Sequence, residues 1–206
     1  MGRQHRIIKR NPLIVICYEG TNETSEKVYF SNFKERNLRI QFTTGGSTDP
    51  EGMLNDLQNY IINEDLKNED DCTIFILIDT DLDGSRIKKI KELINKAKKF
   101  EDFDIQIITT TPTFEIWYLM HYRTNNLKFN SSKEVKRALR KETNGKYNES
   151  LNLYPYIKNN QNKAYNHAKK IEELAVKNGE DIIEANPHTD IYKIIDKINE
   201  KRNRSW

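Results

Sequence analysis

Thr73 to Ser85 reads TIFILIDTDLDGS, and the fold turns on how this stretch is taken. Thr73–Ile78 is β-branched, aromatic or Leu throughout and carries no charge, the pattern of a strand buried on both faces. It stops abruptly at Asp79, Asp81 and Asp83, followed by Gly84, Ser85 and then a helical pattern. Carboxylates crowded at the end of a buried strand repel one another and are costly to desolvate. In open α/β sheets, that end of the strands is where ligands sit. A hard divalent cation would relieve the crowding, since Mg²⁺ favours one or two carboxylates together with water and phosphate oxygens. The competing reading is an Asp-rich turn that caps the next helix through Asp83 or Ser85.

Outward from this stretch, Leu13–Tyr18 (LIVICY) is a second apolar run, closed by Glu19-Gly20. Thr24 or Ser25 offers a helix cap, and Leu38–Thr43 alternates as a strand with one more exposed face. Gly45-Gly46-Ser47 reads as a loop, and Thr48 or Asp49 ahead of Pro50 as a helix start. Met53, Leu57, Tyr60 and Ile61 form that helix's apolar stripe; Ile87, Ile90, Leu93, Ile94 and Ala97 form the next one's. Asp104–Thr109 is a fourth strand. Strands alternating with helices predict an α/β fold, a mostly parallel sheet with helices on both faces. If Leu13–Tyr18 and Thr73–Ile78 are adjacent, Glu19 and Asp79/Asp81 converge on one edge.

Thr110–Tyr122 breaks the alternation with a helix apolar nearly all round, in which Glu115 is the sole acid and His121 the sole imidazole. Glu115 reads as a site residue or as a first-turn acid favoured by the helix dipole. His121 reads as structural. Beyond Leu127 the chain becomes Asn- and Lys-rich, with helices predicted at Ser132–Glu142, Lys163–Lys177 and Asp190–Lys201. Asn186-Pro187-His188-Thr189 reads as a loop and cap. The expected division is an α/β part over 1–125 and a helical carboxyl-terminal part over 126–206 packed on it.

With 34 Lys+Arg against 31 Asp+Glu, the net charge of +3 makes no case by itself for a polyanion partner. Basic stretches lie at Lys88–Lys99, Lys133–Lys141 and Lys201–Arg204, and the last two read as solvated faces. Lys88 and Lys89 are the candidates to meet a phosphate backbone. The two cysteines, Cys17 and Cys72, read as free thiols of a reducing cytoplasm. No run is long enough to span a membrane, and the apolar run after the basic amino terminus is too short for a signal-peptide core. A Walker-type phosphate loop, a G-x-S-x-G elbow and zinc-ligand spacing are all missing from the sequence.

Glu19-Gly20 after one apolar strand and Asp79-Thr80-Asp81-Leu82-Asp83-Gly84 after another resemble the Toprim domain of topoisomerases, primases and related nucleases. Thr111–Tyr122 (TPTFEIWYLMHY) resembles the S-x-P-x-F-E-x-W-x-x-x-H-[FY] segment of RloB-like proteins, and Asn186-Pro187-His188-Thr189 resembles their N-P-S-T element. Glu26 and Tyr29-Phe30 extend a likeness that runs from about Leu13 to Ile198. Tyr18 replaces a usual Cys, two residues are inserted before Glu26, and Thr111 and His188 replace serines; none of these changes removes a ligand. The resemblance implies a Toprim-like fold and Mg²⁺ (or Mn²⁺) chemistry on nucleic acid, DNA or RNA. RloB-like proteins occur near restriction–modification loci and have relatives in abortive infection, so a further defence-system protein is an expected partner. The expectation is a nuclease with Glu19, Asp79, Asp81 and Glu115 in catalysis and Glu19, Asp79, Asp81 and Asp83 around the metal. The alternative is a non-catalytic module that binds nucleic acid or a partner protein.

Overall fold

The computed structural model describes residues 10–20, 24–46, 49–125 and 127–203. Ser47 and Thr48 of the expected loop and helix start, the basic amino terminus and Arg204 lie outside these residues. In chain order the elements are β1 (Leu13–Glu19), α1 (Ser25–Phe30), β2 (Arg39–Gly45), α2 (Pro50–Asn63), β3 (Cys72–Asp79), α3 (Gly84–Ala97) and β4 (Asp104–Thr111). Then follow α4 (Glu115–Tyr122), α5 (Ser132–Glu142), α6 (Tyr154–Ile157), α7 (Gln161–Lys177), β5 (His188–Thr189) and α8 (Ile191–Asn203).

The sheet has five strands in the order β2-β1-β3-β4-β5. β2, β1, β3 and β4 are parallel, and β5 joins β4 antiparallel through Thr110↔Thr189 and Thr111↔His188. The apolar runs occupy the centre because a strand covered on both faces must be apolar at every position. Leu13–Tyr18 and Ile74–Ile78 are accordingly almost inaccessible to solvent. One face, with Leu13, Val15, Ile74 and Ile76, packs on Met53 and Leu57 of α2 and on Ile90 and Leu93 of α3. The other, with Ile14, Ile16, Phe75 and Leu77, packs on Phe30, on Trp117 of α4 and on Ile191 and Ile194 of α8.

This second cluster also takes in Val135 and Leu139 of α5 and Ala164 and Ala168 of α7. The helical carboxyl-terminal part therefore shares one core with the α/β part across position 125/126. It also donates a strand: His188-Thr189, expected as loop and cap, are buried and paired at the sheet edge. Two residues carry no readable alternation, so their strand character comes from the neighbour, β4. Among the described residues no helix is long and apolar enough to cross a membrane. Neither Cys17 nor Cys72 is in a disulfide.

A candidate active site at the strand switch point

The chain leaves β1 to one side for β2 and returns on the other side for β3, so strand order reverses between β1 and β3. At such a reversal the connections diverge to opposite faces and leave a crevice at the carboxyl ends of the strands, where ligands of open α/β sheets bind. The register pairs Cys17 with Ile76, and the two strands end at Glu19 and Asp79 on this shared edge. The adjacency expected for the two apolar runs is what the structure has.

Asp79 lies between two hydroxyls. Thr110 donates to its Oδ1, and Thr113 Oγ1 lies 2.8 Å from its Oδ2. The same Thr113 hydroxyl lies 2.8 Å from Glu115 Oε2. One hydroxyl has one hydrogen, so one of these contacts needs a proton on a carboxyl group. Burial, then the charges of Glu26 and Glu115, hold the Asp79 carboxyl well above the usual range, which favours Asp79 as the carrier of that proton. With the proton there, Asp79 donates to Thr113 and Thr113 donates to Glu115; without it, Thr113 shares its one hydrogen between the two carboxylates.

Glu115 is 3% exposed at the start of α4, and its Oε1 accepts from Ser25 at 3.1 Å and from Tyr147 at 2.5 Å. Lys136 Nζ of α5 stands 3.9 Å from the same oxygen and 2.5 Å from Glu149. Glu115 is a first-turn helix acid, linked to the strand-end aspartate through one hydroxyl.

Glu19 is paired with Arg86 of α3, whose Nε donates to the Asp79 carbonyl at 2.6 Å and stands 3.9 Å from Asp81 Oδ2. Burial outweighs the guanidinium and raises the Glu19 carboxyl to about 7. Burial also raises Glu26 of α1 to about 7, with Glu115 and then Glu19 adding repulsion. Glu19, Glu26, Asp79 and Glu115 therefore form one electrostatic unit.

Asp81 and Leu82 adopt left-handed backbone conformations, φ 52° and 59°. These are costly for residues other than Gly, Asn and Asp and persist only where the surroundings impose them. Here Asp81 N donates to Pro112 O at 3.0 Å and Asp83 N to Thr80 O at 3.0 Å. The turn aims Asp81 at Arg86 and at Ser132, whose hydroxyl is 2.7 Å from Asp81 Oδ1. Asp83 instead caps α3, its Oδ1 accepting from Ser85 N at 2.8 Å and Arg86 N at 3.2 Å. The cap reading of the Asp-rich turn therefore holds for Asp83, while Asp81 faces the crevice side chains instead.

Lys88 and Lys89 are exposed on α3, and Lys89 pairs with Asp49 at 2.5 Å. His121 is buried, its Nδ1 2.8 Å from Trp117 O, and burial lowers it to about 4. Glu26, Arg86, Lys136 and Tyr147 are the cluster members that sequence reasoning did not select. Glu26 had a signal, as a lone first-turn acid just ahead of the aromatic pair Tyr29-Phe30.

Burial, and then mutual repulsion, raise Glu26 and Asp79, and these carboxylates are hard oxygen donors of the kind Mg²⁺ or Mn²⁺ accepts. Among the described residues no three His, Cys, Asp or Glu side chains converge as a ready ligand group. Arg86 and the two threonines engage Glu19 and Asp79 instead.

A comparison with curated proteins gives no match. Among solved structures, a de novo designed Rossmann fold protein aligns at 18% identity and a TM-score of 0.31, over 64% of this chain and 96% of its own. The family described as RloB-like protein matches residues 14–198, nearly the whole length, and the chain belongs to that RloB-like family.

Proposed function

We propose that the protein is a Mg²⁺- or Mn²⁺-dependent nuclease of the Toprim type acting in prokaryotic antiviral defence. The observation that carries this reading is the emergence of Glu19 and Asp79 from adjacent parallel strands at the switch point, inside a four-carboxylate unit. Membership of the RloB-like family supports the defence context.

In this reading Asp79 and Asp81 hold the ion, with Glu19 as ligand or base. A bound divalent ion there supplies positive charge to the phosphate and acidifies water. In the metal-free protein burial raises the Glu19 carboxyl to about 7, the range in which a base is effective near neutral pH. Arg86 fixes the direction of the Glu19 carboxyl and the end of β3 together. Thr113 couples Asp79 to Glu115, so charge on one is felt at the other through a single hydroxyl. Lys136 brings positive charge to the Glu115 side of the crevice.

The test is incubation of purified protein with plasmid DNA, single-stranded DNA and total RNA, with Mg²⁺ or Mn²⁺ and then with EDTA. Metal-dependent cleavage that Asp79→Asn abolishes is the expected result. One observation favours a binding-only module: Arg86 already supplies counter-charge to Glu19 and Asp81. Tight nucleic-acid or partner binding, with no cleavage under any metal, would establish that second reading.

A further inference from the structure

The basic stretch at Lys133–Lys141 changes meaning once α5 is placed. Its amino-terminal end reaches the candidate site, through Ser132 to Asp81 at 2.7 Å and Lys136 toward Glu115 at 3.9 Å. Val135 and Leu139 fasten the opposite side of the helix into the core. Lys133, Arg137 and Lys141 are exposed and, among the described residues, face no carboxylate partner. At i, i+4 and i+8 they rise about 12 Å along one side, a length passed by roughly three to four phosphates of one strand. The helix's own acids are engaged elsewhere, Glu134 with Asn130 N at 2.9 Å and Glu142 with Arg123 at 3.7 Å. On α3, by contrast, Lys89, Lys91 and Lys96 are tied to Asp49, Asp181 with Glu184, and Glu51.

The residues that follow the stripe in the chain, Glu142 and Thr143, line a cleft of about 250 Å³ together with Lys146, Leu153, Tyr122 and Tyr156. Tyr156 is 74% exposed, so a face of its ring is open to an incoming group. A cationic track that ends on an exposed aromatic is the chemistry that binds a single strand: lysines follow the phosphates, and a ring stacks on an unpaired base.

We propose that α5 and the Tyr156 cleft form the binding path for single-stranded nucleic acid, leading its backbone to the carboxylate cluster. The identity of the occupant rests on the nuclease reading; the location of the path does not depend on cleavage. The path runs along α5 rather than along Lys88 and Lys89.

The experiment is fluorescence anisotropy in EDTA, across a salt titration, with a labelled mixed-sequence single strand (as DNA and as RNA) and the matching duplex. The variants are the triple Lys133→Gln/Arg137→Gln/Lys141→Gln, Tyr156→Ala, and Lys88→Gln/Lys89→Gln, each checked for a native melt. Loss of three phosphate contacts lowers the slope of log Kd against log salt by about two, at roughly 0.7 per contact for single strands. Loss of a stacking ring weakens binding about 5- to 150-fold without changing that slope. The α3 pair should bind like wild type. If the triple and Tyr156→Ala variants both bind like wild type, if the duplex is preferred, or if wild type binds no strand at all, the path is wrong. Strand binding that obeys these rules without any cleavage leaves the path standing and sinks the nuclease reading alone.

Discussion

Arg86 of α3 pairs with Glu19 of β1 at the point where the strand order reverses, and it also holds the Asp79 carbonyl. A guanidinium placed among acids supplies positive charge there, and a metal ion at Glu19 would have to compete with it. Removing one partner of a half-buried pair leaves the other charge uncompensated. Arg86→Gln is therefore expected to lower the metal-free melting temperature. It should also enlarge the rise produced by Mg²⁺ or Mn²⁺, because binding to the native state stabilises it. Melts of EDTA-stripped protein over a metal series check this; an unchanged metal response would separate Arg86 from the ion site.

Glu26 and Glu19 give the metal-free protein a pH dependence whose sign follows from their raised carboxyls. Each titrates near 4.5 when unfolded and near 7 when folded. Between these values the folded state holds more protons, so their stabilising contribution is whole below about 4.5, is lost as pH rises to about 7, and is level above. His121, lowered to about 4, works oppositely, adding stability as pH rises through about 4 to 6.5. A variant comparison isolates the acid. Urea midpoints at about pH 5 and about pH 8 should show Glu26→Gln gaining on wild type at the higher pH. Equal differences at both pH values would mean that Glu26 titrates normally.

How far the sequence discloses this arrangement depends on what holds each residue. β1 and β3 are legible because burial on both faces forces unbroken apolar runs, and the parallel order follows from the intervening helices. The switch point is not legible, because no residue in β1 or β2 records on which side the chain returns. β5 escapes for another reason: two residues paired to β4 leave no periodic trace. Arg86 and Lys136 sit in helices whose cations are numerous, and only the fold separates the ones turned to Glu19 and Glu115 from those turned to solvent. Asp83 carried two readings, and its bonds to Ser85 N and Arg86 N give it the cap.

Glu115 tests how firmly the carboxyl-terminal part is joined to the site. Its oxygens take hydrogen bonds from Ser25, Thr113 and Tyr147 in a buried setting. Glu115→Gln turns an amide hydrogen toward one of these donors and should cost about 1–3 kcal/mol, the price of a buried polar group left unmatched. Tyr147→Phe removes one donor while Ser25 remains, and should cost less. Chemical unfolding of both variants decides the order; a Glu115→Gln protein as stable as wild type would show that the acid is not held by this network.

Asp79 offers a substitution in which fold and chemistry should part. With its proton, Asp79 presents an acceptor to Thr110 and a donor to Thr113. Asparagine reproduces both, its carbonyl accepting from Thr110 and its amide donating to Thr113, without any charge to desolvate. Asp79→Asn should therefore leave the metal-free protein as stable as wild type or more so, most clearly above the pH at which the cluster loses protons. Alanine provides neither group, takes the carboxyl acceptor from Thr110, leaves Thr113 with Glu115 alone, and should destabilise. Under the nuclease reading both variants lose a carboxylate that would hold the metal, and cleavage should fall at least about 10²-fold in each, the scale of a lost acid–base or ligand group. Urea unfolding paired with single-turnover cleavage on whichever nucleic acid wild type cuts reads both effects. An Asp79→Asn protein that is stable and still cleaves would remove Asp79 from the reaction while leaving the hydrogen-bond network as drawn; one that unfolds like the alanine variant would show that the proton assigned to Asp79 resides elsewhere.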